Sequence, residues 1–332
     1  MFASRLHPHP ATESPGLACD DATNTRTLAT ENRSRTSRPL PPVWCEFPIL
    51  ARDGAHLTAA RVGSASAPAS VVYLHSMGAD ARCWTPLVEH LHQRLDGAIA
   101  QCVYDQRSHD NSATGSRTAQ SSPATQIDDL ESVLDHARGA IVLTAHAAAA
   151  SLILEWARHK PEATQKLSGI VLFNPSLESW CTPETSGATL RDVTGRDRCG
   201  PFEESARYLC SAPEARAWPA RKPGRRVGDG PQGEVAEPLG AELLASLAAG
   251  LRDAVTAVLR EIPTWVLVGH LDPGVAAHRS RMFAEQIWAD YDTVPGAGHW
   301  LPCTDPRPAA EPILAALEVA YRAAYERGGG GW

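Results

Sequence analysis

Ile141-Val142-Leu143-Thr144-Ala145-His146-Ala147-Ala148-Ala149-Ala150 is an apolar run that passes without interruption into an alanine-rich segment. The β-branched and aliphatic residues predict a buried strand over Ala140–Thr144. The alanines, continued by Ser151-Leu152-Ile153-Leu154, predict a helix over Ala148–His159. Neither Gly nor Pro separates the two, so alanines at 145, 147 and 149 must make the bend. A strand that leads straight into a helix is the repeating unit of a parallel sheet with helices on its faces.

The same rhythm extends in both directions. Upstream, Val43–Leu50 and His56–Val62 flank the turn signal Arg52-Asp53-Gly54 and predict an antiparallel hairpin. Further strands are expected at Ser70–Leu74, Ile99–Tyr104, Gly169–Phe173, Thr264–Val268 and Tyr291–Val294. Helices are expected at Pro86–Leu95, Ala124–Arg138, Ala276–Ala289 and Pro308–Tyr325. The alternation breaks between Ser176 and Glu261, where residues 218–240 read as a mobile loop rich in Arg, Gly and Pro. Helical spacing returns in Ala241–Arg260 through Leu244, Leu247, Leu251, Val255 and Val258. Residues 1–42, rich in Ser, Thr, Arg and Pro, read as a disordered extension.

The 332 residues suffice for one large domain with a sizeable core. A hydrophobic content of 43% and a charged content of 21% are those of a globular protein. A net charge of −7 speaks against non-specific nucleic-acid binding. No stretch approaches the roughly 18–20 apolar residues of a membrane span, and the N-terminus lacks the layout of a secretory signal. A cytoplasmic location is therefore expected. The eight cysteines form no C-x-x-C pair, so they are expected to be mostly reduced and buried rather than zinc ligands. No dinucleotide or phosphate-loop motif is present and no cofactor is expected.

Four turns, each at a predicted strand end, carry a specific resemblance. They are Leu74-His75-Ser76-Met77-Gly78 with Trp84, Tyr104-Asp105-Gln106-Arg107-Ser108-His109-Asp110-Asn111-Ser112, Val268-Gly269-His270-Leu271-Asp272-Pro273, and Pro295-Gly296-Ala297-Gly298-His299-Trp300-Leu301-Pro302. In this order they resemble the α/β-hydrolase family over about Val43–Val319: its His-Gly turn, its D-x-R-G-x-G-x-S turn, its acid turn and its histidine loop. Several glycines are replaced, at Ser76, Ser108, Asp110, Ala145 and Ala149. The resemblance implies an α/β fold with a mostly parallel eight-stranded sheet flanked by helices and a small helical cap. The core would be 43–175 and 261–332, with the cap inserted at 176–260.

The resemblance also implies a site. Asp272 would hold His299, so that one imidazole nitrogen donates to the carboxylate while the other exchanges a proton. Ala147 stands where the family's G-x-S-x-G turn presents its serine, and a methyl group cannot attack a carbonyl. Backbone N–H groups of Met77 and Ala148 would form an oxyanion hole. His75, Ser76, His146 and Trp300 are expected around the pocket, although Ser76 reads equally as an ordinary turn residue and His146 as packing. Three functions stay open. One is general acid/base chemistry by His299–Asp272 on a small carbonyl compound, giving lyase, isomerase, cyclase or atypical hydrolase activity. The second is an inactive homologue that binds a small ligand or a protein partner. The third is weak hydrolysis with a non-standard nucleophile.

Overall fold

The computed structural model describes residues 41–76, 79–107, 122–176, 252–272, 275 and 277–326. Among them, eight strands form one sheet: β1 Cys45–Leu50, β2 His56–Val62, β3 Ala69–Leu74, β4 Ala100–Tyr104, β5 Ala140–His146, β6 Leu167–Phe173, β7 Thr264–Gly269 and β8 Asp290–Val294. Their order is β1-β2-β4-β3-β5-β6-β7-β8. The β1–β2 hairpin and the β2–β4 pair are antiparallel, and every other pairing is parallel. The expected α/β architecture with a mostly parallel eight-stranded sheet is therefore present. The cap expected at 176–260 and the extension at 1–42 lie almost wholly outside the described residues.

Side chains alternate between two cores, as the pleat requires, apart from a register shift where Leu167 and Gly169 of β6 pair with β5. Val72, Leu74, Leu143, Ala145, Ile170, Leu172, Val266 and Val268 face one way. Val71, Tyr73, Val142, Val171, Phe173 and Leu267 face the other. The first face is covered by α2 (Pro123–Leu134), α3 (Ala149–His159) and the helices Arg252–Arg260 and Ala277–Ile287. The second is covered by α1 (Thr85–Arg94) and the C-terminal helix Pro306–Glu326. Val255 and Leu259 are buried in the first core, so the end of the expected Ala241–Arg260 helix packs against α3 and the helix Ala277–Ile287. No helix among the described residues is long and apolar enough to cross a membrane.

Strand β5 and helix α2 depart from their expected bounds for identifiable reasons. Strand β5 runs two residues further, to His146, because Ala145 and His146 pair with Leu172 and Phe173 of β6. Helix α2 starts at Pro123, capped by the Ser122 hydroxyl, which accepts from Thr125 N at 3.1 Å. It stops at Leu134, where His136 and Ala137 donate three residues back instead of four and turn the chain into β5. Cys83, Cys102 and Cys303 are free and buried. Cys45 is the disulfide-bonded exception among the described cysteines.

One charge is sunk entirely into this framework. Arg107, 1% exposed, follows β4 and grips Asp129 of α2 through Nε at 2.9 Å and a terminal nitrogen at 2.6 Å. It also holds Asp53, in the β1–β2 turn, at 2.8 and 3.0 Å. Burial raises the Asp129 pKa while hydrogen bonding to Asp129 raises that of Arg107. A guanidinium stays protonated throughout the physiological range, so the pair is ionised and desolvation is only the opposing cost. The Arg107 hydrogen bond likewise lowers the pKa of Asp53. The guanidinium thus ties the hairpin and α2 to the end of β4. Arg107→Met is expected to lower unfolding free energy by about 3–5 kcal/mol, the usual consequence of stripping a buried carboxylate of its partner. A fall in the urea midpoint with an unchanged slope would register it.

Candidate active site

Strands β5, β6, β7 and β8 end side by side, and the loops leaving them build the site. After β7 the chain turns tightly, with His270 N donating to Val294 O at 3.0 Å and Leu271 N to Ala297 O at 2.9 Å. This fastens the acid turn onto the loop that follows β8. Gly269 makes the contact possible. A Cβ there would sit 2.3 Å from Gly298 O and 2.7 Å from Ala297 O, so only a glycine admits the loop. Gly296, at φ +78°, supplies the bend on the opposite side. The outcome is a 2.7 Å hydrogen bond from His299 Nδ1 to Asp272 Oδ2. His299 is 6% exposed and Asp272 7%. The Nε2 atom of His299 is buried and has no hydrogen-bond partner among the described residues.

His146, at the tip of β5, lies with its ring 4.7 Å from that of His299 and 5.3 Å from that of Trp300. Trp84 meets it edge-on at 6.4 Å. Its Nε2–H donates to the backbone oxygen of His299 at 2.8 Å, which fixes the tautomer. Burial pushes its pKa well below the usual histidine value, helped by charge on His299 and, to a smaller extent, on His75. His146 is therefore a neutral, packed ring that holds the His299 backbone.

Ala147 lies between β5 and α3 at φ +50°, in the left-handed region. For a residue with a Cβ this conformation costs about 1–3 kcal/mol. Its N–H donates to Phe173 O at 2.9 Å, and its carbonyl accepts from Ala150 N and Ser176 N. Neighbouring chain thus pins the bend on both sides. Ala148 follows as the N-cap of α3, at the helix start where N–H groups lack intrahelical partners. Met77, the other expected donor, lies outside the described residues.

His75 does not offer its imidazole to a pocket. Nδ1–H donates to Ser76 O at 2.8 Å and Nε2 accepts from Gln106 N at 2.9 Å, while Gln106 Nε2 returns a bond to His75 O. Both ring nitrogens are committed to joining the loops after β3 and β4, and the residue is completely buried. Ser76 and Trp300 are each 2% exposed. Among the described residues, no three His, Cys, Asp or Glu side chains are grouped to hold a metal ion.

One residue at this strand edge has no counterpart in the sequence reading. Asn174 follows β6 at φ +44°, fully buried, and its side chain bonds to both the acid turn and the histidine loop. The available signal is the dipeptide Asn174-Pro175 after an apolar run, since Asn is the residue besides Gly that tolerates this conformation. The assembly as a whole offers an oriented imidazole with one nitrogen uncommitted, packed against the end of the strand that leads into α3. Such an arrangement can move a proton and stabilise a developing oxyanion.

The sequence profile of the alpha/beta hydrolase family matches residues 71–311. No curated protein matches the chain. Among solved structures, the thermophilic esterase from Thermogutta terrifontis is similar with a TM-score of 0.53 at 20% identity, over 83% of this chain and 99% of its own. The alpha/beta hydrolase GrgF from Penicillium sp. sh18 gives 0.55 at 14% identity, over 85% and 99%. The thioesterase domain from the curacin biosynthetic pathway gives 0.54 at 16% identity, over 82% and 99%. At such identities these likenesses speak to the fold.

The neutral His146 makes folding acid-sensitive. Above pH 6.5 its imidazole is neutral in both folded and unfolded chains; below it, the unfolded chain takes up a proton that the folded one resists. Stability contributed by this residue is thus complete above the unfolded pKa and is lost as pH falls toward the depressed folded value. In His146→Gln, which keeps an N–H donor without titrating, the decline in urea midpoint between pH 6.5 and about 5 is expected to flatten. Parallel wild-type and variant curves would contradict the assignment.

Proposed function

The chain belongs to the alpha/beta hydrolase family, and from there we propose that it acts on a small carbonyl-containing molecule with His299 and Asp272 as a general acid/base pair and without a serine acyl-enzyme. One observation carries the reading: His299 Nδ1 is spent on Asp272 at 2.7 Å while its buried Nε2 has no partner among the described residues. An imidazole held in that way is prepared for proton transfer at the remaining nitrogen.

In the proposed step, Nε2 of His299 takes a proton from a carbon beside the carbonyl, or from a water attacking it. The Asp272 carboxylate stabilises the resulting imidazolium, and the proton then returns from Nε2 to the product. Negative charge gathering on the substrate oxygen is met by backbone N–H groups at the start of α3, Ala148 first, with Met77 as the second donor that the family pattern implies. Ala147 occupies the bend where that pattern has the nucleophile. Its methyl group forms no bond to an acyl carbon, so the reaction proceeds without a covalent intermediate. A second reading, ligand binding without turnover, is favoured by the burial of Ala147 at 2%, His146 at 1% and Ser76 at 2%.

Wild type, His299→Ala, Asp272→Asn and Ala147→Ser, assayed against an ester panel and small carbonyl metabolites, separate these readings. General acid/base chemistry predicts wild-type turnover that falls about 10²–10⁴-fold in His299→Ala and shows no acyl-enzyme burst. On this reading Ala147→Ser gains ester cleavage with a burst, since Ala147 holds the left-handed bend that would present the new hydroxyl. Equal inertness of all four would favour binding without catalysis. Wild-type turnover indifferent to His299→Ala would refute the proposal.

A further inference from the structure

We infer that Asn174 is a positioning residue that holds the acid and the base of the proposed pair in register through a single side-chain amide. Its Oδ1 accepts from Gly269 N at 2.7 Å. Its Nδ2 donates to Gly298 O at 3.1 Å and to His299 O at 2.6 Å. An N–H on one side and two carbonyls on the other leave one sensible orientation for the amide, oxygen toward β7 and nitrogen toward the histidine loop. Gly269 leads, three residues on, to Asp272, and His299 O belongs to the base itself. The amide therefore bridges the two chain segments whose separation sets the 2.7 Å carboxylate–imidazole bond.

A residue present only to fill space would not need this arrangement. Asn174 is completely buried and left-handed at φ +44°, a conformation that glycine would adopt with less strain. Its own N–H donates to Leu267 O at 2.9 Å, so the backbone is already anchored to β7 without the side chain. What the side chain adds is the link to the histidine loop. His146 Nε2–H reaches the same His299 carbonyl from β5 at 2.8 Å. Two donors on one oxygen hold the histidine backbone from two strands, leaving ring orientation to Asp272. This inference rests on the reading of His299 and Asp272 as the acid/base pair.

The test uses the full-length protein labelled with ¹⁵N-histidine and downfield proton NMR. In wild type, the His299 Nδ1–H shared with Asp272 is expected as a slowly exchanging downfield resonance that disappears in His299→Ala. Asn174→Gly removes the amide while accommodating the positive φ, and the resonance is expected to be lost to solvent exchange with the circular dichroism spectrum retained. Asn174→Asp keeps an acceptor for Gly269 N–H but sets a carboxylate against two carbonyls at neutral pH. There the resonance is expected to be lost, and to return as acid protonates the new carboxyl and restores an O–H donor toward His299 O. A wild-type resonance that persists unchanged in both variants would overturn the inference. Unfolding of both variants would also overturn it, because Asn174 would then serve folding rather than register. Absence of the resonance from wild type would instead sink the pair itself, and so distinguish failure of the premise from failure of the clamp.

Discussion

The approach of the histidine loop to the backbone of Gly269 is the contact on which the rest of the site depends. Oxygen atoms of Gly298 and Ala297 occupy the space where any Cβ at 269 would stand. Because the two chains meet backbone to backbone, Leu271 and His270 can donate into the loop and bring Asp272 beneath His299. A hydrogen bond of this kind needs its two side chains placed to within a few tenths of an ångström. The main-chain seam brings the two segments together, and the Asn174 amide crosslinks them.

A second device, side-chain crosslinking, operates along the carboxyl edge of the sheet. Loops there run over a core too apolar to satisfy their polar groups, so buried side chains take the role that a neighbouring strand would otherwise fill. His75 joins the loops after β3 and β4 with both ring nitrogens. Arg107 gathers the hairpin turn and α2. Asn174 and His146 converge on one carbonyl of the histidine loop. Each is polar, each is almost fully buried, and each binds segments distant in sequence. Rigidity at the edge thus comes from side-chain crosslinks laid over an apolar sheet.

Much of this architecture is legible in the sequence because it is written locally. Continuous apolar runs such as Thr264–Val268 mark strands buried on both faces, and β2 is found at its expected bounds of His56–Val62. Asp272 and His299 are readable because each sits in a short turn with its glycine, at a predicted strand end. The two extra residues of β5 are not readable, since they depend on pairing with β6 rather than on their own periodicity. His75 shows the limit from another side: a histidine at a strand end suggests a ligand-facing ring, yet Gln106, 31 positions later, consumes it. Asn174 and the Arg107–Asp129 pair depend on partners 95 to 125 and 22 residues away. No local pattern encodes such meetings.

The closeness of His146 to His299 has an electrostatic consequence for the charge that this strand edge can hold. With the rings 4.7 Å apart and one already committed as a neutral donor to the other's main chain, a positive charge on His299 discourages a second on His146. Of the two rings, His146 is the one held neutral. Any positive charge on His299 is already answered by the Asp272 carboxylate bonded to its Nδ1, so the two adjacent rings present no net positive address.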